Sequence, residues 1–139
     1  MKNIKIKISL DNGAKMPTRA HSTDAGADIY SAEDIVIPKG QWKTVKTGVH
    51  IEIPNGYFGL LASKSGLNSK HGITSRGVID EGYSGEILAI MQNIGPDYQI
   101  KKGDKITQLI IIPCVSAEFE EANITAGDRG DNGFGSTGK

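Results

Sequence analysis

A single cysteine, Cys114, stands in the chain, so no internal disulfide can form and the cysteine pairs of structural zinc sites are missing. That usage fits a reducing compartment, and a cytoplasmic protein is expected. Net charge is missing too: 16 Lys and Arg against 16 Asp and Glu leave no long-range field to draw in nucleic acid or an anionic membrane. Neither partner is expected, and any polyanion must be met locally. Long apolar runs are absent, and the opening Met1-Lys2-Asn3-Ile4-Lys5-Ile6-Lys7 alternates charge with isoleucine, reading as neither signal peptide nor membrane span. No stretch of about ten residues carries helical periodicity. His21, His50 and His71 have no partner at metal-ligand spacing, which makes them structural or exposed.

What is present is a strand pattern. Ile4, Ile6, Ile8 and Leu10 alternate with Lys5, Lys7 and Ser9, the period-two signature of a half-buried strand. Val49, Ile51 and Ile53 repeat it up to Pro54-Asn55-Gly56, and Ile35–Ile37 runs into Pro38-Lys39-Gly40. Tyr57 to Ala62, Glu86 to Gln92 and Ile106 to Pro113 are further candidates, bounded by turn chemistry. With 18 glycines and no helices between the strands, an antiparallel sandwich, jelly roll or barrel is expected, not a βαβ sheet. One domain is expected, its core over 1–126. The segment 127–139 has five glycines, no aliphatic side chain and one aromatic, Phe134, and cannot pack by itself.

Five short motifs could carry chemistry. The tail from Gly133 to Lys139 satisfies GxxxxGK, but a Walker loop needs a preceding strand, a following Ser or Thr and a helix, and the sequence closes at Lys139 without them. Its glycine N–H groups, Ser136, Thr137 and the Arg129 fork still suit phosphate oxygens, as alternatives to a solvated tail. Ser63-Lys64-Ser65-Gly66-Leu67 puts two hydroxyls and an ammonium in one loop after a strand, either a phosphate contact or an ordinary turn. Gly77-Val78-Ile79-Asp80-Glu81-Gly82-Tyr83-Ser84-Gly85 sets a carboxylate at the mouth of a glycine-flanked hairpin, where Asp80 is either a general base or a turn-former. Ala25-Gly26-Ala27-Asp28 and Gly103-Asp104-Lys105-Ile106-Thr107-Gln108 place polar residues beside strands. Asp28 and Gln108 there suit magnesium-bound water, a catalytic group or sheet-end hydrogen bonding alike.

Taken together and in order, these five motifs resemble those of the trimeric deoxyuridine triphosphatases, over roughly residues 20 to 139. The resemblance implies a jelly-roll-like β subunit in a homotrimer whose three active sites are each built by all three chains. One subunit would supply Asp28, Lys64, Ser65, Gly66 and Gln108, a second the Asp80 hairpin, and a third its tail as a lid. The implied reaction is hydrolysis of dUTP to dUMP and pyrophosphate, lowering dUTP and supplying the dTMP precursor, with Asp80 activating water toward the α-phosphorus. Mg2+ would ride on the triphosphate with no protein ligand of its own, and Asp28 would reach it at most through water. The Val78-Ile79 backbone would read uracil, Tyr83 would exclude a ribose 2′-hydroxyl, Phe134 would stack on the base, and Arg129, Gly135 and Ser136 would grip the outer phosphates.

The chain departs from that family where Lys64 and Lys105 replace arginines, which removes a bidentate fork and keeps a point charge. It departs again in the short connection from His71 to Gly77, which carries Arg76. Two other readings compete. A dCTP deaminase of the same fold would need a glutamate at the ring, and Glu81 is the sole candidate nearby. A nucleotide-gated interaction module would use a regulatory protein partner, met through Met1 to Leu10 or Glu118 to Ala122.

Overall fold

In a computed structural model, which describes residues 3–138, the period-two segments become strands and one short helix interrupts them. Lys139 of the GxxxxGK match, and Met1 and Lys2 of the candidate partner segment, lie outside the described residues. The order is β1 (Lys7–Leu10), β2 (Ala27–Tyr30), β3 (Ile35–Ile37), β4 (Trp42–Lys46), β5 (Val49–Glu52), β6 (Tyr57–Ala62), α1 (Ser65–His71), β7 (Ile73–Ile79), β8 (Leu88–Asn93), β9 (Tyr98–Ile100) and β10 (Lys105–Pro113). Every pairing is antiparallel. A curled six-stranded sheet, β2-β10-β6-β7-β8-β4, is flanked by the ribbons β1-β5 and β3-β9. The all-β, jelly-roll-like expectation holds.

The ribbons divide the core in two. Ile29, Val49, Ile51, Ile53, Leu61, Ile79, Ile87 and Leu109 pack under β1-β5, and Ile37, Val45, Ile73, Ala89, Met91, Ile100 and Ile106 pack under β3-β9. Each isoleucine taken fully out of water contributes about 1.5–3 kcal/mol, so these two clusters hold the sheet curled. Buried Asn93 ties the second cluster's loops, donating to the Ile37 and Pro96 carbonyls at 2.8 and 2.7 Å and accepting from the Gly95 N–H.

Two expectations are corrected. The segment from Ser63 to Leu67 is not simply a loop, because α1 begins at Ser65 and closes on Gly72 in the left-handed conformation, at φ 69°. With seven residues and none buried, α1 has no apolar stripe for periodicity to reveal. The connection from His71 to Gly77 is instead mostly strand β7, whose inward face reads Ile73, Ser75, Gly77 and Ile79. Ser75 disguised it: its buried hydroxyl donates to Thr107 at 3.0 Å, so a polar residue occupies an inward position with its hydrogen bond made.

β10 ends at Pro113, and residues beyond it run exposed with no regular structure before the turns of the tail. Val115, Phe119 and Ile124 on that segment are almost wholly exposed. An apolar groove of about 480 Å³, lined by Ile6, Ile8, Met16, Leu109 and Ile111 among others, lies open on the same chain.

Candidate active site

Register places the sequence motifs at two separate ends of the sheet. Across β2, β10 and β6, Asp28 pairs with Gln108 and Gln108 with Ala62, so the first, second and fourth motifs converge on one end. There the Asp28 carboxylate is buried between two ammonium groups. Lys64 hydrogen-bonds its Oδ1, and Lys105 lies 2.8 Å from its Oδ2. Burial pushes the Asp28 carboxyl up, but the hydrogen bonds and charges of Lys105 and Lys64 outweigh it and leave its pKa below the usual carboxylate value. Asp28 in turn holds Lys105 charged to higher pH than usual.

Gln108 Nε2 donates to the Ser63 carbonyl at 2.9 Å, and the Ser63 hydroxyl is spent on β7, donating to the Ser75 carbonyl and accepting from the Ser75 N–H. Ser63 is thereby a lock on the strand-to-helix corner. It leaves Ser65 and Gly66, both exposed at the start of α1, as the open polar groups of the second motif.

The third motif sits at the other end. β6 and β7 pair with Ala62 opposite Arg76 and Gly59 opposite Ile79, so Asp80 leaves β7 beyond Gly59, while Lys64 leaves β6 beyond Ala62. From Ala62 to Gly59 the strand runs roughly 10 Å at about 3.3 Å per residue, so one chain does not bring Asp80 to Lys64, Ser65 and Gln108. Asp80 lies exposed at the head of a turn closed by Tyr83 N–H on its carbonyl at 3.2 Å. Gly82 takes φ 82° at the third position of that turn, where a side chain would be strained.

Around this turn is a pocket of about 200 Å³ lined by Asp80, Tyr83, Arg76, Val78, Glu86 and Ile90 among others. The β7-β8 ladder covers only Ile73 to Ser75, so Gly77 to Ile79 keep β6 as their paired neighbour on one side. Side-chain hydrogen bonds fix the hairpin: Asn55 Nδ2 donates to the Glu81 carboxylate at 3.2 Å, Tyr83 donates to the Glu86 carbonyl at 2.8 Å, and the Glu86 carboxylate accepts the Thr47 and Gly48 N–H groups. Arg76 and Glu86 were not among the expected site residues. Alternation along β7, which puts Arg76, Val78 and Asp80 on one face, was the available signal for Arg76.

The fifth motif touches neither end. Arg129, Phe134, Gly135 and Ser136 lie on exposed turns closed by bonds such as Asn132 N–H to the Arg129 carbonyl and Ser136 N–H to the Gly133 carbonyl. Phe134 is fully exposed with φ 47°, a conformation few aromatic residues adopt without packing to hold it. No group of three or more His, Cys, Asp or Glu side chains is placed for a metal among the described residues, and each Asp28 oxygen already faces a cation. This donor set does not fit a magnesium ion held by the protein's own side chains.

The family model described as dUTPase matches residues 12–138. A deoxyuridine 5'-triphosphate nucleotidohydrolase from Mycobacterium marinum is 43% identical over 149 residues, covering 99% of this chain and 97% of its own length. Among solved structures, a mutant dUTPase of Staphylococcus bacteriophage 80alpha with dUpNHpp superposes with a TM-score of 0.93 at 32% identity, over 99% of this chain and 100% of that one. A mutant dUTPase from phage phi11 of S. aureus, described as coordinating a structural Mg(II) ion, superposes at 0.83 and 32% identity, over 89% and 100% of the two chains.

Proposed function

The chain belongs to the dUTPase family and is a dUTP diphosphatase, and from that premise we propose that it acts as a homotrimer whose sites are completed between chains, with Asp80 as general base. The observation that carries this reading is the register: Asp28, Lys64, Ser65 and Gln108 gather at one end of the sheet and Asp80 leaves from the other. A site needing both must draw them from different copies. The open apolar groove and the exposed Val115, Phe119 and Ile124 support association, since apolar surface of that extent gains by leaving water.

In the reaction, Asp80 takes a proton from water as the oxygen bonds to the α-phosphorus. The bond from that phosphorus to the α,β-bridging oxygen breaks, releasing pyrophosphate and leaving dUMP. The backbone of Val78 and Ile79, free on its β8 side, offers donors and acceptors to the uracil edge, and Tyr83 closes the sugar position against a 2′-hydroxyl. Ser65 and Gly66 offer a hydroxyl and backbone N–H groups to the phosphates, and Lys64, steadied by Asp28, adds charge beside them. The exposed tail brings Arg129, Phe134, Gly135 and Ser136 of a neighbour over the nucleotide and excludes water. A divalent ion such as Mg2+, when bound on the triphosphate, supplies further charge neutralisation.

A deaminase is disfavoured because Glu81, the carboxylate it would need, is spent on Asn55 Nδ2 and the Gly56 N–H. A cytoplasmic location fits the lone exposed Cys114. Pyrophosphate release measured with dUTP, UTP, dTTP and dCTP tests the reading. Release from dUTP alone is expected, and equal release from UTP or ammonia from dCTP would overturn it.

A further inference from the structure

His50 sits on β5 with its ring between two acceptors. Nδ1 lies 3.1 Å from the Ser84 carbonyl oxygen and Nε2 lies 3.1 Å from Asp11 Oδ1. Neither a carbonyl nor an ionised carboxylate has a proton to give, so a neutral imidazole, with one N–H, satisfies one contact and turns a lone pair on the other. The imidazolium donates to both. Ser84 belongs to the hairpin that carries Asp80 and Tyr83, and Asp11 is itself anchored by its N–H on the Gly48 carbonyl at 2.8 Å.

We propose that His50 is a positioning residue which, as imidazolium, straps the Asp80–Gly85 hairpin to β5 and so tightens the nucleoside pocket when protonated. This rests on the reading of that hairpin as the deoxyuridine site. The hairpin's other ties run through backbone groups, Asn55, Tyr83 and the carboxylates of Glu81 and Glu86, none of which ordinarily changes charge near neutrality. The groups facing His50 are acidic or neutral: Asp11 beyond β1, Glu86 beyond the hairpin, and Ser9 opposite it across β1. Lys7 and Glu52, one pair further along, neutralise each other at 3.0 Å.

The Ser84 carbonyl first, then Asp11, with Glu86 adding a smaller share, raise the His50 pKa above its ordinary 6.5. The strap is therefore complete below that ordinary value and is lost as pH rises through the raised one.

The test follows KM and kcat for dUTP from about pH 6 to about pH 9 in the assembled wild-type protein and in His50→Gln, alongside the NMR signals of the Tyr83 ring as reporters of His50, recorded over the same range without nucleotide. KM of the wild type relative to His50→Gln is expected to rise about threefold to tenfold across that range, the scale of one lost hydrogen bond, while the kcat ratio stays level. The nucleotide's own ionisation cancels in the ratio. Tyr83 signals should follow the His50 titration in the wild type and lose that inflection in the variant. A flat KM ratio with dUTP still hydrolysed overturns the strap alone, whereas absence of dUTP hydrolysis in the wild type overturns the functional reading.

Discussion

Tyr83 lies so close over Gly85 that a Cβ on Gly85 would stand 2.5 Å from the Tyr83 hydroxyl oxygen and 2.6 Å from its Cζ. The ring position thus depends on a missing side chain two residues away. Gly85→Ala is expected to fold, since the ring can swing toward solvent, but to loosen the sugar pocket. The ratio of kcat/KM for dUTP over UTP should fall about tenfold or more, on the scale at which a shaped pocket rejects one added group. An unchanged ratio would show that Tyr83 does not select the sugar.

Asp80→Asn keeps size and turn chemistry, so the thermal transition and the oligomer should be unchanged. Turnover should drop by about 10²–10⁴-fold, the range of a lost general base. Activity near wild type would remove Asp80 from that role.

Asp28, buried within β2, holds two ammonium groups. Asp28→Asn leaves Lys64 and Lys105 facing one another without their counter-charge, so a lower Tm and a raised KM are expected together. Acid should act the same way. Because the folded carboxyl has a lowered pKa, its contribution is present above the ordinary value of 3.8 and is lost as pH falls through the folded one. Denaturation midpoints in wild type and variant should converge below that window, and a constant gap down to the lowest pH would contradict the account.

Among the described residues, deleting 129–139 removes exposed turns and no core residue. Gel filtration should show the same oligomer, and calorimetry should still detect weak dUTP binding while pyrophosphate release collapses. A monomeric product would make the tail an assembly element and not a lid.

The all-β class was legible because alternation is a local property. Ile4 to Leu10 and Val49 to Ile53 display their buried face residue by residue, whatever they pack against. The segment from His71 to Ile79 was only partly legible, since Ser75 and Gly77 fill inward positions with polar or absent side chains. Helix α1 escaped for the complementary reason, having no buried residue to set a period. The ordered motifs displayed the residue types of the candidate site, because which side chains can bind phosphate or take a proton is a matter of residue type.

What residue order alone determined, then, was the strand character of the chain and the chemical kinds gathered in each motif, the tail of Arg129 to Gly138 included. Tertiary structure alone decided which kinds meet. Lys64 and Asp28 are 36 residues apart and His50 and Ser84 are 34 apart, and only the closure of the sheet puts each pair in contact. The same closure sends Asp80 to the opposite end from Lys64, because antiparallel neighbours leave the sheet in opposite directions. Period-two patterning says which face a residue occupies and nothing about which end of which neighbour it will reach.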